Sequence, residues 1–358
     1  MELTKCKLGE LITQRREKND GSNLPICGVS KDGLIPPKQI DADTSIYNVF
    51  YRDDFIFNPA RMELNSIAIN DKYDRAICSS LYEVFFVHRT DLLLPHFLKL
   101  IVKQKWFTRY CEFLGQGSAR EYCRFNNISE IEIEFPPIEE QQRIVDYYSS
   151  IQKRIALKKQ INDNLEAQAF AIYEETISNR EKCAMLSDIA EITMGTSPEG
   201  ESFNADGIGT VFYQGRTDFG FRFPTIRLYT TEPKRFADKG DILMSVRAPV
   251  GDINIAKEHC AIGRGLAALK PKNKCYSYLY YTMMELNFEL KKFNDEGTVF
   301  GSITKDDLYA LNVVALSPDE SISFEKKVSI IDDTILQNET EIQHLLEMSS
   351  ILLSKITD

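Results

Sequence analysis

The stretch Pro136-Pro137-Ile138-Glu139-Glu140-Gln141-Gln142-Arg143-Ile144-Val145 divides the chain. Two prolines close a strand-like segment, and charged and amide residues then open a helix. The run that follows has no Pro or Gly through Ile177 and is rich in Glu, Gln, Lys, Ala and Ile, which predicts helix. A helix of roughly 38 residues would be about 57 Å long. That is longer than a typical globular helix, so the stretch predicts a partner or a spacer role.

A partner lies in the same chain. Val328, Ile331, Ile335, Ile342, Leu345, Leu352 and Ile356 fall 180 positions after Tyr148, Ile151, Ile155, Asn162, Leu165, Ile172 and Thr176. Both series step by three, four or, where one position is passed, seven residues, the pattern of a coiled-coil seam. Lys158 and Asn338 occupy equivalent seam positions, where a polar residue can fix register. Two unrelated amphipathic helices, each on its own domain, are the alternative.

The segments before each long run repeat more loosely. Asp54-Phe55-Ile56-Phe57-Asn58-Pro59-Ala60-Arg61 leads into Asn65-Ser66-Ile67-Ala68-Ile69. Likewise Asp241-Ile242-Leu243-Met244-Ser245-Val246-Arg247-Ala248-Pro249-Val250-Gly251 leads into Asp252-Ile253-Asn254-Ile255-Ala256. Each reads as strand, turn with Arg beside Pro, and strand. Helices are expected from Pro95 to about Leu114 and from Tyr276 to about Asn294, and final strands over 128–135 and 308–316. The expected class is α/β: two pseudo-symmetric lobes separated by two long helices in an antiparallel coiled coil. The expected boundaries are 1–138, 139–180, 181–317 and 318–358. Lobes held apart in this way suit a reader of two DNA half-sites about a helical turn, roughly 34 Å, apart.

The formal net charge is −10, but the last 41 residues hold nine Asp+Glu against three Lys+Arg. The two lobes are near neutral, which leaves room for local basic faces. The eight cysteines form no CxxC pair and no two of the four histidines sit at i, i+4, so no metal site is expected. With no apolar run for a signal peptide or a membrane span, the thiols read as reduced and the protein as cytoplasmic.

Three stretches resemble the specificity (S) subunits of type I restriction–modification systems. Pro136 to Val145 is similar to that family's central conserved region, and Gly240 to Gly251 to a run typical of its target recognition domains. Gly297-Thr298-Val299-Phe300-Gly301-Ser302-Ile303 resembles the lobe ending. The resemblance spans nearly the whole chain. It implies two target recognition domains that each read half of a bipartite site in double-stranded DNA, with the helices as a ruler. It also implies two modification (methyltransferase) subunits and restriction (translocase/nuclease) subunits as partners. These would bring S-adenosylmethionine, ATP and Mg, with no cofactor or catalytic residue in this chain. One departure is Ser317-Pro318-Asp319-Glu320-Ser321-Ile322-Ser323, which lacks the Glu-Gln-Gln of the first opening and leaves the start of the second helix open.

Catalytic signatures fail when sought directly. The chain has no GxxxxGK[ST], GxSxG or HExxH. Gly263-Arg264-Gly265-Leu266-Ala267-Ala268 fits GxGxxA only formally, since it does not open a convincing helix. Asn58-Pro59-Ala60-Arg61 lacks the second proline and the aromatic of an amino-methyltransferase motif and reads as a turn. A stand-alone methyltransferase or nuclease with cryptic motifs, and a coiled-coil scaffold with no DNA role, are the rival readings.

DNA reading needs Arg, Gln, Asn, Ser or Lys on exposed loops, since Arg can donate two hydrogen bonds to guanine and Gln or Asn can pair with adenine. Candidates in the first lobe are Arg61, Gln116, Ser118, Arg120, Arg124 and the phosphate-reaching Tyr122; in the second, Gln214, Arg216, Arg247, Arg264 and Lys305. Each could equally be a solvated loop residue, and Arg61 and Arg247 could be internal ion-pair partners. Glu139, Glu140, Arg143, Lys153, Arg154, Lys158 and Lys159 could bind modification subunits or be a solvated helix face.

Overall fold

A computed structural model describes residues 3–37, 39–40, 43–115, 122–294 and 301–356. It divides into two compact units, Met1–Lys158 with Thr340–Asp358, and Lys159–Glu339. Each unit contains one lobe and one stretch of each long helix, Ile138–Ile177 and Pro318–Ser354.

In the first unit, one antiparallel sheet runs in the order Ile12–Arg15, Glu83–Val87, Phe55–Phe57, Ile67–Ile69. A second runs Gly33–Ile35, Ile26–Ser30, Arg75–Cys78, Asn48–Tyr51, with its middle pair parallel. The second unit repeats the plan. Ala190–Met194, Leu266–Pro271, Ile242–Ser245 and Ile253–Ile255 form the first sheet. Phe203–Asn204, Leu228–Thr230, Thr210–Tyr213, Cys260–Ile262 and Phe236–Ala237 form the second, again with one parallel pair, Thr210–Tyr213 beside Cys260–Ile262. A two-stranded ribbon closes each lobe: Thr4–Lys7 with Glu132–Phe135, and Ala184–Met185 with Asn312–Val313.

The strand period explains the apolar runs. Successive side chains point to opposite sheet faces. Phe55 and Phe57 enter one core while Ile56 enters another. Ile242 and Met244 enter one core while Leu243 enters another. Both faces are covered, so these strands read as continuous apolar sequence. The turn leading into each is also shared. Asp53 (φ 66°) and Gly240 (φ 94°) both take left-handed backbone. The next residue, Asp54 or Asp241, accepts a backbone N–H with its carboxylate, from Tyr51 at 2.7 Å or Asp238 at 2.8 Å.

The long helices run antiparallel within each unit. In the first, Gln152 meets Ser349 at 3.0 Å and Lys158 meets Glu341 at 2.9 Å, so partner numbers fall as helix numbers rise. Ile151 and Ile155 pack with Ile342 and Leu345. In the second unit Asn338 donates to Asn162 at 2.8 Å, and Tyr173 meets Phe324 with ring centroids 6.2 Å apart. Both amides are buried, Asn162 at 1% and Asn338 at 5% exposure, so two of the seam's polar residues are paired with each other. Val328 and Ile335 are buried; Ile331, Ile172, Tyr148, Leu165, Leu352 and Ile356 are half-buried. The seam also takes Ala169, Tyr173, Ser321, Phe324 and Ser349, all buried; Ala169 and Ser349 are themselves 180 positions apart, but their small side chains do not announce a seam.

Three expectations change. The helix expected from Pro95 to Leu114 is two, Pro95–Val102 and Lys105–Gly115. The break is held by distant groups: Lys103 Nζ donates to the Ile67 carbonyl at 3.3 Å, and the Gln104 amide to the Leu353 carbonyl at 2.9 Å. The helix expected over 276–294 is likewise Tyr276–Glu285, Asn287–Lys291 and a short turn. The final strand of each lobe is shorter than expected because a one-turn helix precedes it, Phe125–Ser129 or Lys305–Tyr309.

The helix openings exchange roles as well. Gln141 is fully buried but does not cap its own helix. It accepts from Leu94 N–H at 2.9 Å and donates to the carbonyls of Leu92 at 2.7 Å and Pro136 at 2.8 Å, which docks the lobe. The second helix, whose start the sequence left open, has a reciprocal cap: Ser317 N–H donates to Glu320 at 3.0 Å and Glu320 N–H to Ser317 Oγ at 3.4 Å.

Candidate nucleic-acid interface

In the second unit three loops converge at one end of the sheets. Gly195, Gly263 and Gly265 let them cross. A Cβ on Gly195 would stand 2.1 Å from the Gly263 carbonyl oxygen, and one on Gly265 would stand 2.7 Å from that of Gln214. Gly263 N–H donates to the Tyr213 carbonyl at 2.9 Å and Val246 N–H to that of Gly265 at 3.0 Å. The backbone is therefore locked while Gln214, Arg216, Arg247 and Arg264 stay exposed.

A cleft of about 790 Å³ opens beside these loops. Arg216, Phe219, Arg247, Asp252, Tyr280 and Asn287 are among the residues that line it. Tyr280 and Asn287 reach the cleft from helices and not from loops, so a search confined to loop residues does not find them. Arg216 is ion-paired with Asp252, so DNA would have to share or displace that carboxylate. For Arg247 and Arg264 no side-chain ion pair is formed with any described residue. Lys305 lies on the one-turn helix that precedes the final strand, its ammonium 5.1 Å from the Tyr309 ring centroid.

Among the described first-lobe candidates, the turn that carries Arg61 is joined to the segment of Tyr122 and Arg124, Cys123 N–H donating to the Pro59 carbonyl at 3.0 Å. Arg61 is exposed on the turn Pro59–Leu64, and Asn58 accepts from Ala60 N–H at 3.1 Å, the role of an N-cap. Arg124 is exposed, stands 5.4 Å from the Tyr122 ring centroid and pairs with Glu83 at 3.2 Å. Gln116, Ser118 and Arg120 lie outside the described residues, as do Gly297 to Phe300 of the lobe ending. Leu266, inside the formal GxGxxA match, begins a strand and not the helix a dinucleotide site requires.

Among the described residues the most deeply buried cation belongs to no motif in the sequence. Arg222 is fully buried. Its guanidinium donates to Glu166 on the first long helix at 2.9 Å and pairs with Asp332 on the second. It also donates to Tyr281 Oη at 2.8 Å and lies 4.4 Å from the Tyr280 ring centroid. Burial alone would lower its pKa; Tyr280, Asp332, Tyr281 and Glu166 outweigh this and raise it, so the charge is held.

Among the described residues no group of three or more His, Cys, Asp or Glu is arranged to hold a metal ion. No described helix is long and apolar enough to cross a membrane.

The family model for the type I restriction modification DNA specificity domain matches the chain twice, over residues 9–167 and 182–345. The chain belongs to this family. It is 29% identical over 286 residues to the type I restriction enzyme MjaX specificity subunit assigned in Methanocaldococcus jannaschii, covering 70% of this chain and 66% of that protein. It is 25% identical over 126 residues to the HindI specificity subunit of Haemophilus influenzae, covering 34% of this chain and 27% of that one. The chain thus spans just under two thirds of one relative and about a quarter of the other. The crystal structure of a type I restriction–modification S subunit from M. genitalium aligns with TM-score 0.65 at 16% identity, over 100% of this chain and 96% of that one. That likeness is one of fold. The two matched stretches correspond to the two lobe-plus-helix repeats, so the family's unit is the unit repeated here.

Proposed function

We propose that this chain is the DNA-sequence specificity subunit of a type I restriction–modification complex and reads a bipartite duplex site. Residues 1–138 and 181–317 act as the two target recognition domains, one half-site each. Residues 139–180 and 318–358 act as the helical regions that set the unread spacer. Arg61, Tyr122 and Arg124, with Gln116, Ser118 and Arg120, face the first half-site; Gln214, Arg216, Arg247, Arg264 and Lys305 face the second. Arginines supply the bidentate geometry that guanine accepts, and the phosphate contacts around them make binding salt-dependent.

The observation that carries this reading is the repeat itself. One α/β plan occurs twice, each copy joined to a stretch of both long helices, and in the second copy the Arg-bearing loops gather at one edge. The chain performs no chemistry on DNA in this reading. Two modification subunits dock along the helices and use S-adenosylmethionine for adenine-N6 methylation. Restriction subunits bring ATP- and Mg-dependent translocation and cleavage, in the cytoplasm.

Long-read methylome sequencing of the host tests the proposal. A split motif carrying N6-methyladenine should be present and should vanish when the gene is deleted. If the gene is expressed and every split-motif mark survives its deletion, the proposal fails. Inserting four residues into each long helix, about 6 Å of rise, should then change the spacer and leave the two half-motifs intact.

A further inference from the structure

We infer that Arg222 is a positioning residue for recognition. It locks the second lobe onto both long helices of its own unit, and so restricts the spacer length the complex accepts without touching a base. The inference rests on the bipartite reading proposed above.

Arg222 lies on the loop that begins at the exposed Arg216. Within six residues the same segment passes from a solvent-facing arginine to a fully buried one. The loop is tied to the lobe just before Arg222 and at Arg222 itself. Gly220 N–H donates to Asn254 Oδ1 at 3.1 Å, and the Arg222 carbonyl accepts from Ile255 N–H at 2.8 Å. The side chain is tied to the helices, to Glu166 on one and Asp332 on the other. Both carboxylates have a second donor from the lobe: Tyr280 Oη meets Glu166 at 3.2 Å, and Tyr281 Oη meets Asp332 at 2.9 Å. Tyr280 also lines the cleft between the Arg-bearing loops.

A planar guanidinium fork holds its acceptors in fixed directions, unlike an ammonium. A buried ion is stable only while its partners keep their geometry. Any rocking of the lobe on its helices would stretch at least one of these bonds and leave charge uncompensated. The lock therefore resists the motion by which the second lobe could follow a half-site displaced by one base pair. Arg222 is fully buried and its guanidinium is taken up by Glu166, Asp332 and Tyr281, so it cannot itself reach a base.

The test uses the full chain assembled with its modification subunits and DNA duplexes carrying the methylated motif at its native spacer, or one base pair shorter or longer. Wild-type complex should methylate the shifted duplexes about ten- to a hundredfold more slowly, the size of a single mismatch penalty. If the wild-type complex has no split motif, the bipartite reading itself fails. In Arg222→Ala the spacer preference should fall toward unity, with discrimination at each base of the second half-site unchanged. Since that variant strands two buried carboxylates, the triple variant Arg222→Met, Glu166→Gln, Asp332→Asn is measured beside it. It removes the buried charges together and should keep the fold. A folded triple variant with wild-type spacer preference overturns the inference, as does one that loses base discrimination while keeping the spacer.

Discussion

The two lobes share a topology and differ in how each is fastened to its helices. The first uses a neutral amide: Gln141 is fully buried and makes three hydrogen bonds to backbone groups at Leu92, Leu94 and Pro136. The second uses charge: Arg222 with Glu166 and Asp332, and Glu325, which accepts from Ser277 N–H at 3.1 Å. Gln141 and Glu325 each serve the start of the lobe's helix, yet they lie one turn apart in the repeat register. The same docking problem has thus been solved with different residues at different positions. A neutral amide bonded only to backbone leaves no charge stranded if its surroundings shift. A charged cluster is stable in one geometry and costly in others.

The largest expected effect is that of Arg222→Ala, which strands Glu166 and Asp332. Breaking a buried ion pair costs about 3–5 kcal/mol. The carboxylates keep 21% and 18% side-chain exposure, which places the loss toward the lower end. Next comes Gln141→Ala, which leaves buried backbone groups without partners at about 1–3 kcal/mol. The two are separable because Trp106, the only tryptophan, lies in the first unit. In urea unfolding of the full chain, Gln141→Ala should shift the Trp106 fluorescence transition. Arg222→Ala should shift the circular-dichroism transition and leave Trp106 fluorescence in place. Equal shifts by both probes for both variants would show that the fastenings are not independent.

Much of this architecture could be read from the chain. The 180-residue offset aligns the helices because each seam position needs an apolar residue every three or four steps, and that demand is local. The paired strands could be read because both their faces are covered. The broken lobe helices could not, since propensity favours continuation past Lys103 and the groups that stop it, Ile67 and Leu353, are far off in sequence. Arg222 was passed over for the same reason: an arginine counts as surface until two carboxylates 56 residues before and 110 after are known to meet it. The loop arginines were legible as types. Their surroundings, Asp252 against Arg216 and Glu83 against Arg124, were not.

A smaller effect probes the helices the lobes share. Asn162 and Asn338 bury an amide pair in the second unit where the first places Ile155 against Ile342 and Leu345. Replacing both by Leu should stabilise the chain by about 1 kcal/mol or less, because burial of a methyl-rich pair is offset by the loss of the Asn–Asn bond and of the Asn162 bond to Glu339 at 2.8 Å. The gain should come at the expense of register, which a buried polar pair specifies. Disulfide mapping with cysteine pairs placed in register and one turn out of register would check this. The wild type should cross-link only in register, and the double variant in both.

The smallest effect belongs to the second helix opening. Arg180, at 2.6 Å, and the Ser317 hydroxyl and N–H hold Glu320 down to about 2 from an ordinary 4.5. A depressed carboxyl contributes stability that is fully present above its unfolded pKa. That contribution is lost as pH falls from 4.5 toward 2. The first opening has no such cap, because Pro137 stands 180 positions before Ser317 and offers the corresponding Glu140 neither an N–H nor a hydroxyl. Glu320→Gln should therefore lower the melting temperature slightly at pH 7, and the difference from wild type should shrink as the buffer is taken to pH 3. If the difference is the same at both pH values, the cap does not depend on the carboxylate charge, and the two openings differ only in shape.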